Sequence, residues 1–304
     1  VKALLCIPTL NAGADALSLL FAMKSQTFRP THFVVIDSGS TDGSVELFEA
    51  AGAAIRVIER SEFNHGATRQ MAVEAGAEAD VVVFFTQDAI PADADALRNL
   101  LACFDDPGVG AAFGRQLPRP GAGPIAAHAR LFNYPSESRV KTAADAPELG
   151  IKTAFISNSF AAFRRAALMS VGGFPGNVIL SEDTYVAAKM LLAGWKVAYC
   201  AEALVYHSHD YGFMDEFKRY FDIGVFHARE PWIRQEFGQP AGEGVRFVRS
   251  ELAYLMKTQP VLIPSALMRS VLKFAGYKMG TRERRWPLWL KRRLSMHAGY
   301  WKSN

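Results

Sequence analysis

Over the first 116 residues, apolar and polar positions alternate in blocks. Runs rich in β-branched and aromatic residues read as strands: ALLCIP (3–8), HFVVID (32–37), AIRVIE (54–59), VVVFFT (81–86) and VGAAFG (109–114). Between them lie stretches with helical spacing: DALSLLFAMKSQ (15–26), DGSVELFEAAG (42–52), GATRQMAVEAG (66–76) and DADALRNLLACF (93–104). Strand and helix in turn at this rhythm predict an α/β fold, a mostly parallel sheet with helices on both faces. Such sheets bind ligands in the crevice at the carboxyl ends of their strands.

The polar residues of this half gather at those ends. PTLN follows the first strand, DSGSTDGS the second, FNHGATR the third and TQDA the fourth. From about 117 to 155 the alternation is lost. NSFAAFRRAALMSVGGF (158–174) then reads as strand, helix and glycine turn. SEDTYVAAKMLLAGW (181–195) reads as a helix with Ser181 as its N-cap, ended by Gly194, and KVAYCAEALVYHSH (196–209) is extended. Beyond 212 the chain is mostly helical.

Charge separates the two ends of the molecule. Residues 246–304 carry 13 Lys or Arg and two acids, Glu251 and Glu283, whereas acids outnumber bases before them; the whole chain is +4. The basic extension asks for an anionic partner. In 282–293, RERRWPLWLKRR, tryptophans interleave with cations and Trp301 follows, a pattern that suits an anionic membrane surface. A solvated helix with its tryptophans packed on the body, or a pairing of subunits, would also account for it. No RNA-binding motif accompanies the patch, so nucleic acid is not expected. There is no N-terminal signal pattern and no apolar run of about 18 residues that would span a bilayer. Cys6, Cys103 and Cys200 show no metal or disulfide spacing and read as reduced thiols. The expected location is cytoplasmic, with possible peripheral attachment to the inner face of the cell membrane.

Four stations carry candidate chemistry. Asp37, followed by Ser38 and Gly39, places a carboxylate where a ribose or a base N–H can meet it; a turn capped by Asp42 or Ser40 fits equally. Arg69 and the preceding His65 and Gly66 open a helix, a setting that suits a diphosphate. Asp88 ends a strand that helices must cover on both faces, so its charge has to emerge at the rim, where it can hold a divalent cation. Glu182 and Asp183 occupy the first turn of a helix, favoured there by the helix dipole or poised as a general base. His207 and His209 alternate with Ser208 and are expected to point to opposite sides; one could ligate a metal and the other be structural, while a lone histidine is more often neither. No glycine triplet follows the first strand, so the dinucleotide fingerprint is missing.

Read together, IPTLN, VVIDSGSTDGS, NHGATRQ and VGGF…SEDTYVAAKMLLAGWKVAY…ALVYH resemble the inverting family 2 glycosyltransferases of the GT-A fold. The resemblance covers roughly residues 1–230. It implies a glycosyltransferase domain over 1–245, with a nucleotide-sugar half (1–116) and an acceptor half (117–245), and a basic helical extension over 246–304. It implies donor contacts at Pro8, Thr9, Asn11, Asp37, Ser38, Gly39, His65, Gly66, Arg69, Gln87 and Asp88, and catalysis by Asp183 with Glu182. It also implies Mg2+ or Mn2+ on Asp88 with His207 or His209. The family's metal motif is usually Asp-x-Asp; here Thr86 stands first and Asp88 second. FNHGATR, TQDA and YHSH look most like the rhamnosyltransferase branch that uses dTDP-L-rhamnose. The acceptor implied is a glycan or a lipid-linked saccharide of a bacterial cell-surface polysaccharide. Another UDP- or dTDP-sugar donor is the nearest alternative. A nucleotidyltransferase would carry a glycine-rich basic loop where PTLNAGADA stands, and a silent scaffold of the same fold would not need the acids.

Overall fold

The computed structural model describes residues 1–238 and 242–302, so 239–241 of the part expected over 1–245 and 303–304 of the extension lie outside the described residues. In chain order the elements are β1 (Ala3–Thr9), α1 (Gly13–Lys24), β2 (His32–Asp37), α2 (Ser44–Ala50), β3 (Ala54–Val57), α3 (His65–Ala75) and β4 (Val81–Phe85). There follow β5 (Ile90–Pro91), α4 (Ala96–Ala102), β6 (Val109–Leu117), α5 (Pro124–Asn133), β7 (Arg139–Lys141), α6 (Ala146–Leu149), β8 (Phe160–Arg164) and α7 (Arg165–Ser170). The last are α8 (Glu182–Leu192), β9 (Lys196–Tyr206), α9 (Phe213–Arg229), α10 (Pro231–Phe237), α11 (Glu243–Thr258), α12 (Ile263–Gly280) and α13 (Leu288–Leu294).

One sheet runs β3-β2-β1-β4-β8-β6-β9-β5, with β7 added against β9. The strands read from the first half, β3 to β4, pair in parallel, as do β6 and β9. β8 enters antiparallel between β4 and β6, so the sheet is more mixed than the alternation alone suggests. β4 shows why a strand of unbroken apolar residues forms here. Val82 and Phe84 face one core and Val81, Val83 and Phe85 the other, so both pleat faces are buried.

This topology brings the carboxyl ends of β1, β2, β4, β6 and β9 to one edge, together with the start of β8. Ser181 sits at the N-cap position of α8 with φ +60°, but its side chain makes no capping bond, contrary to the role read for it. Gly194 does end that turn, at φ +88°.

The extension is helical and packs on the body. α12 crosses α9 backbone to backbone: a Cβ on Gly280 would stand 2.0 Å from the Phe221 carbonyl oxygen, and one on Gly224 2.3 Å from that of Tyr277. Two of the three tryptophans read as lipid anchors are packed instead. Trp301 is buried, and Trp286 is half-buried and donates to the Met279 carbonyl at 3.0 Å. Trp289 is exposed.

Candidate active site

The sheet edge opens into a cleft of about 820 Å3. His65, Arg69, Asp88, Glu182, Asp183, His207 and His209 all line it. The remaining donor candidates form a separate loop cluster beside it. Asp37 is buried and accepts from the Gly39 and Ser40 N–H groups and the Ser40 hydroxyl, so its carboxylate first folds the turn that carries Ser38 and Gly39. Ser38 donates its N–H and its hydroxyl to the Thr9 carbonyl, locking β1 to β2 at their ends. Asn11, at φ +46°, accepts from Thr41 N–H. Gln87 clamps the loop after Pro8 through two bonds to Leu10, accepting its N–H at 2.8 Å and donating to its carbonyl at 3.1 Å. Gln87 therefore shapes the loop after β1 through the Leu10 backbone.

Asp88 stands where a buried strand surfaces. Its Oδ2 lies 3.3 Å from His207 Nε2 and 3.4 Å from His209 Nε2. The two histidines do not point to opposite sides. β9 ends at Tyr206, so the alternation of a pleated strand no longer applies, and both rings turn to the same carboxylate. Their ligand atoms and that of Asp88 lie within 4.8 Å of one another, a group of metal-ligating geometry.

The surroundings fit a cation at this point. Gln116, at the end of β6, accepts from Arg130 Nη1 at 2.6 Å on the same amide oxygen that meets His207 Nδ1 at 2.8 Å. Arginine is an obligate donor, so that atom is the oxygen and Nδ1 carries the proton. Burial holds His207 below its ordinary pKa despite Asp88, and burial and then His207 push His209 down to about 4. Burial alone would raise Asp88; the imidazoles, His207 first, instead keep it well below the usual carboxylate range. With Nδ1 protonated, Nε2 is the atom that His207 turns to Asp88, as a donor when the ring is charged and as a lone pair for a cation when it is neutral. Ionised acid and neutral imidazole are also the states that ligate metals, and a hydrogen bond to the far ring nitrogen is the usual support.

The acid pair divides its labour. Glu182 is buried and bonded to Arg69 Nη1 at 2.9 Å and to Asn158 Nδ2 at 2.9 Å. Burial would raise its pKa, but Arg69, His65 and the Asn158 amide together outweigh burial and leave it lowered. Among the described residues Asp183 has no salt-bridge partner. Its Oδ2 accepts the Asn158 N–H at 3.0 Å and its Oδ1 the Thr184 N–H at 2.7 Å. Burial, then the neighbouring Glu182 charge, raises it to about 6. A carboxylate tuned to that value suits proton abstraction near neutrality.

Two readings of the α3 station change. Arg69 is not a free guanidinium: it is buried, pairs with Glu182 and donates to the His65 carbonyl at 2.9 Å. Gly66 serves close packing, since a Cβ there would fall 1.8 Å from the Pro175 carbonyl oxygen. His65 keeps its place in the cleft, edge-on to Phe63 and His297 with ring centroids 5.0 and 4.9 Å away, and burial lowers its pKa. Sequence reasoning missed Asn158, which holds both acids, and Gln116 with Arg130, which set the His207 tautomer. Asn158 directly precedes a readable strand; the amide in GRQLPRP carries no signal of its own.

A sheet with polar loops at its carboxyl edge, an Asp–His group at the rim and an acid pair at a helix start matches the GT-A glycosyltransferases that the sequence resembles. The glycosyl transferase family 2 profile matches residues 4–172, and the chain belongs to that family. The O-antigen chain rhamnosyltransferase RfbN of Salmonella typhimurium is 51% identical over 304 residues, covering 100% of this chain and 97% of that protein. The O-antigen chain rhamnosyltransferase WbaN of Salmonella anatum is 49% identical over 300 residues, covering 98% and 95%. Among solved structures, the mannosyltransferase PcManGT from Pyrobaculum calidifontis in complex with GDP-Man and Mn2+ superposes with a TM-score of 0.58 at 20% identity, covering 99% of this chain and 84% of that one. TarS 1–349 of S. aureus in complex with UDP-GlcNAc gives 0.56 at 15% identity, covering 94% and 92%. At such identities these two establish the fold.

Proposed function

We propose that the protein transfers L-rhamnose from dTDP-β-L-rhamnose, with inversion, to a hydroxyl of a glycan or lipid-linked saccharide in bacterial cell-surface polysaccharide synthesis. Full-length similarity at 51% and 49% identity to two O-antigen rhamnosyltransferases supports the donor. The observation that carries the mechanism is Asp183: half-buried, without a salt-bridge partner among the described residues, and held by two backbone N–H groups at the start of α8. The enzyme acts in the cytoplasm, at the inner face of the membrane where a lipid-linked acceptor would be presented.

Asp183 takes the proton of the acceptor hydroxyl as that oxygen attacks the anomeric carbon, and dTDP leaves from the opposite face. The product is therefore α-linked. The Asn158 and Thr184 N–H groups fix both carboxylate oxygens, so little reorganisation accompanies the transfer. Glu182 raises the proton affinity of Asp183 and holds Arg69, and through Arg69 the turn at His65. Asp88, His207 and His209 would hold Mg2+ or Mn2+, which supplies positive charge for the departing diphosphate. Pro8, Thr9, Asn11, Ser38 and Gly39 form the nucleoside face, on a turn built by Asp37 and Gln87.

The pH dependence follows from the raised acid. Asp183 works as a base only when ionised, so kcat/KM is expected to fall about tenfold per unit as pH drops below about 6. A flat profile between pH 5 and 7 would exclude it as the base. The donor assignment is tested by dTDP release from dTDP-β-L-rhamnose, compared with nucleotide release from UDP-glucose and GDP-mannose. Preference for either competitor would keep the fold and the base and discard rhamnose.

A further inference from the structure

α12 has two unlike faces. Toward the body, Gly276 and Gly280 close on α9, and Arg269 and Lys273 approach Glu216 Oε1 at 3.6 and 3.4 Å. Outward, Leu267, Val271, Phe274 and Lys278 follow the spacing of one helix face, with Met268 beside them. Val271 is 62% exposed and Phe274 64%. In the turn that leads into α12, Val261 is 76% exposed. The packing on α9 uses none of these side chains, so they form a continuous apolar strip that folding leaves in water.

Charge identifies what the strip meets. The two acids of 246–301, Glu251 and Glu283, are both buried, at 1% and 3% exposure, and Glu283 is paired with Arg229 and Lys291. Every exposed charge of this region among the described residues is therefore positive, including Lys257, Lys278, Arg282, Arg284 and Arg285. Apolar side chains at the centre with cations around them, and no exposed acid, match an anionic bilayer. A second copy of the chain would bring the same cations face to face, which disfavours self-association.

We infer that the outer face of α12 seats on an anionic lipid bilayer, with Leu267, Met268, Val271 and Phe274 entering the headgroup boundary. The segment 282–293 supplies cations to this contact; of its tryptophans only Trp289 is free to join it. The opposite face of the same helix, through Ser265, Arg269 and Lys273, lines the cleft that holds Asp183. Docking this way sets the cleft beside the membrane. The inference rests on this surface and not on the identity of the donor.

The full chain is mixed with vesicles of phosphatidylcholine alone or with phosphatidylglycerol, and sedimented. The wild type is expected to pellet with the anionic vesicles only. V271S/F274S, which changes no charge and alters side chains that lie mostly in solvent, is expected to bind at least tenfold more weakly with little change in melting temperature. V271E/F274E should lose binding further, and R284E/R285E should weaken it in a salt-dependent way. Wild-type protein that stays in solution would overturn the inference. So would undiminished binding of V271S/F274S, which would reduce the contact to simple charge adsorption. A dimer seen by light scattering and dissolved by V271S/F274S would assign the strip to a second copy instead.

Discussion

Asp183→Asn is expected to lower turnover by about 10²–10⁴-fold, the range for loss of a positioned general base. The substitution keeps the shape, and the amide oxygen can still accept one of the two backbone N–H bonds from Asn158 and Thr184. Folding and donor binding should therefore persist, and the loss should fall on kcat. Glu182→Gln is expected to behave differently. It leaves Arg69 buried without its charge partner, so its first effect is a lower melting temperature. Measuring kcat and donor affinity for both variants separates the roles. Near-normal turnover in Asp183→Asn would place the base elsewhere, and an equal loss of folding in both would make the pair structural.

The second large effect concerns the Asp–His group. EDTA is expected to stop transfer, and added Mg2+ or Mn2+ to restore it. Asp88→Ala removes the one carboxylate that both imidazoles face, and should abolish metal-dependent binding of the nucleotide diphosphate. Gln116→Leu leaves the three ligands in place but frees His207 Nδ1, so Mn2+ affinity by calorimetry should weaken about 10–100-fold. Full activity in excess chelator would exclude a metal requirement.

How much of this was legible in the sequence depended on the kind of signal. Of the four parallel strands of the first half, β1 and β4 were readable as apolar runs that a sheet covered on both faces accommodates, and β2 and the exposed edge strand β3 from their β-branched residues. Asp88 was readable for the same reason, as a charge cannot stay inside β4. The place of β8 was not readable. It depends on how the chain returns across the sheet edge through 117–155, and that segment has no periodicity to interpret. His207 and His209 were found as candidates but misdirected, because alternation was carried past Tyr206, where the pleat ends. Arg69 was found, but its partner Glu182 lies on another element far along the chain, so their ion pair was not visible. The tryptophans of the extension left two readings open, lipid anchors or packing on the body, and the structure buries Trp301, half-buries Trp286 and leaves Trp289 exposed. Gln116 illustrates the limit. A neutral amide at a strand end has no distinctive pattern, and its work becomes visible only when Arg130 and His207 are seen on the same oxygen.

The most direct test of the central claim is a thermal-shift panel of dTDP, UDP, GDP and their sugars, each with and without Mg2+. A ligand that binds only the folded state raises the melting temperature by mass action, about 2.7 kcal/mol of stabilisation at a hundredfold excess over Kd. Stabilisation by dTDP and dTDP-L-rhamnose that Mg2+ strengthens, and that Asp88→Ala removes, is the predicted result. Stabilisation by UDP or GDP species alone, or by dTDP without any dependence on the cation or on Asp88, would contradict it.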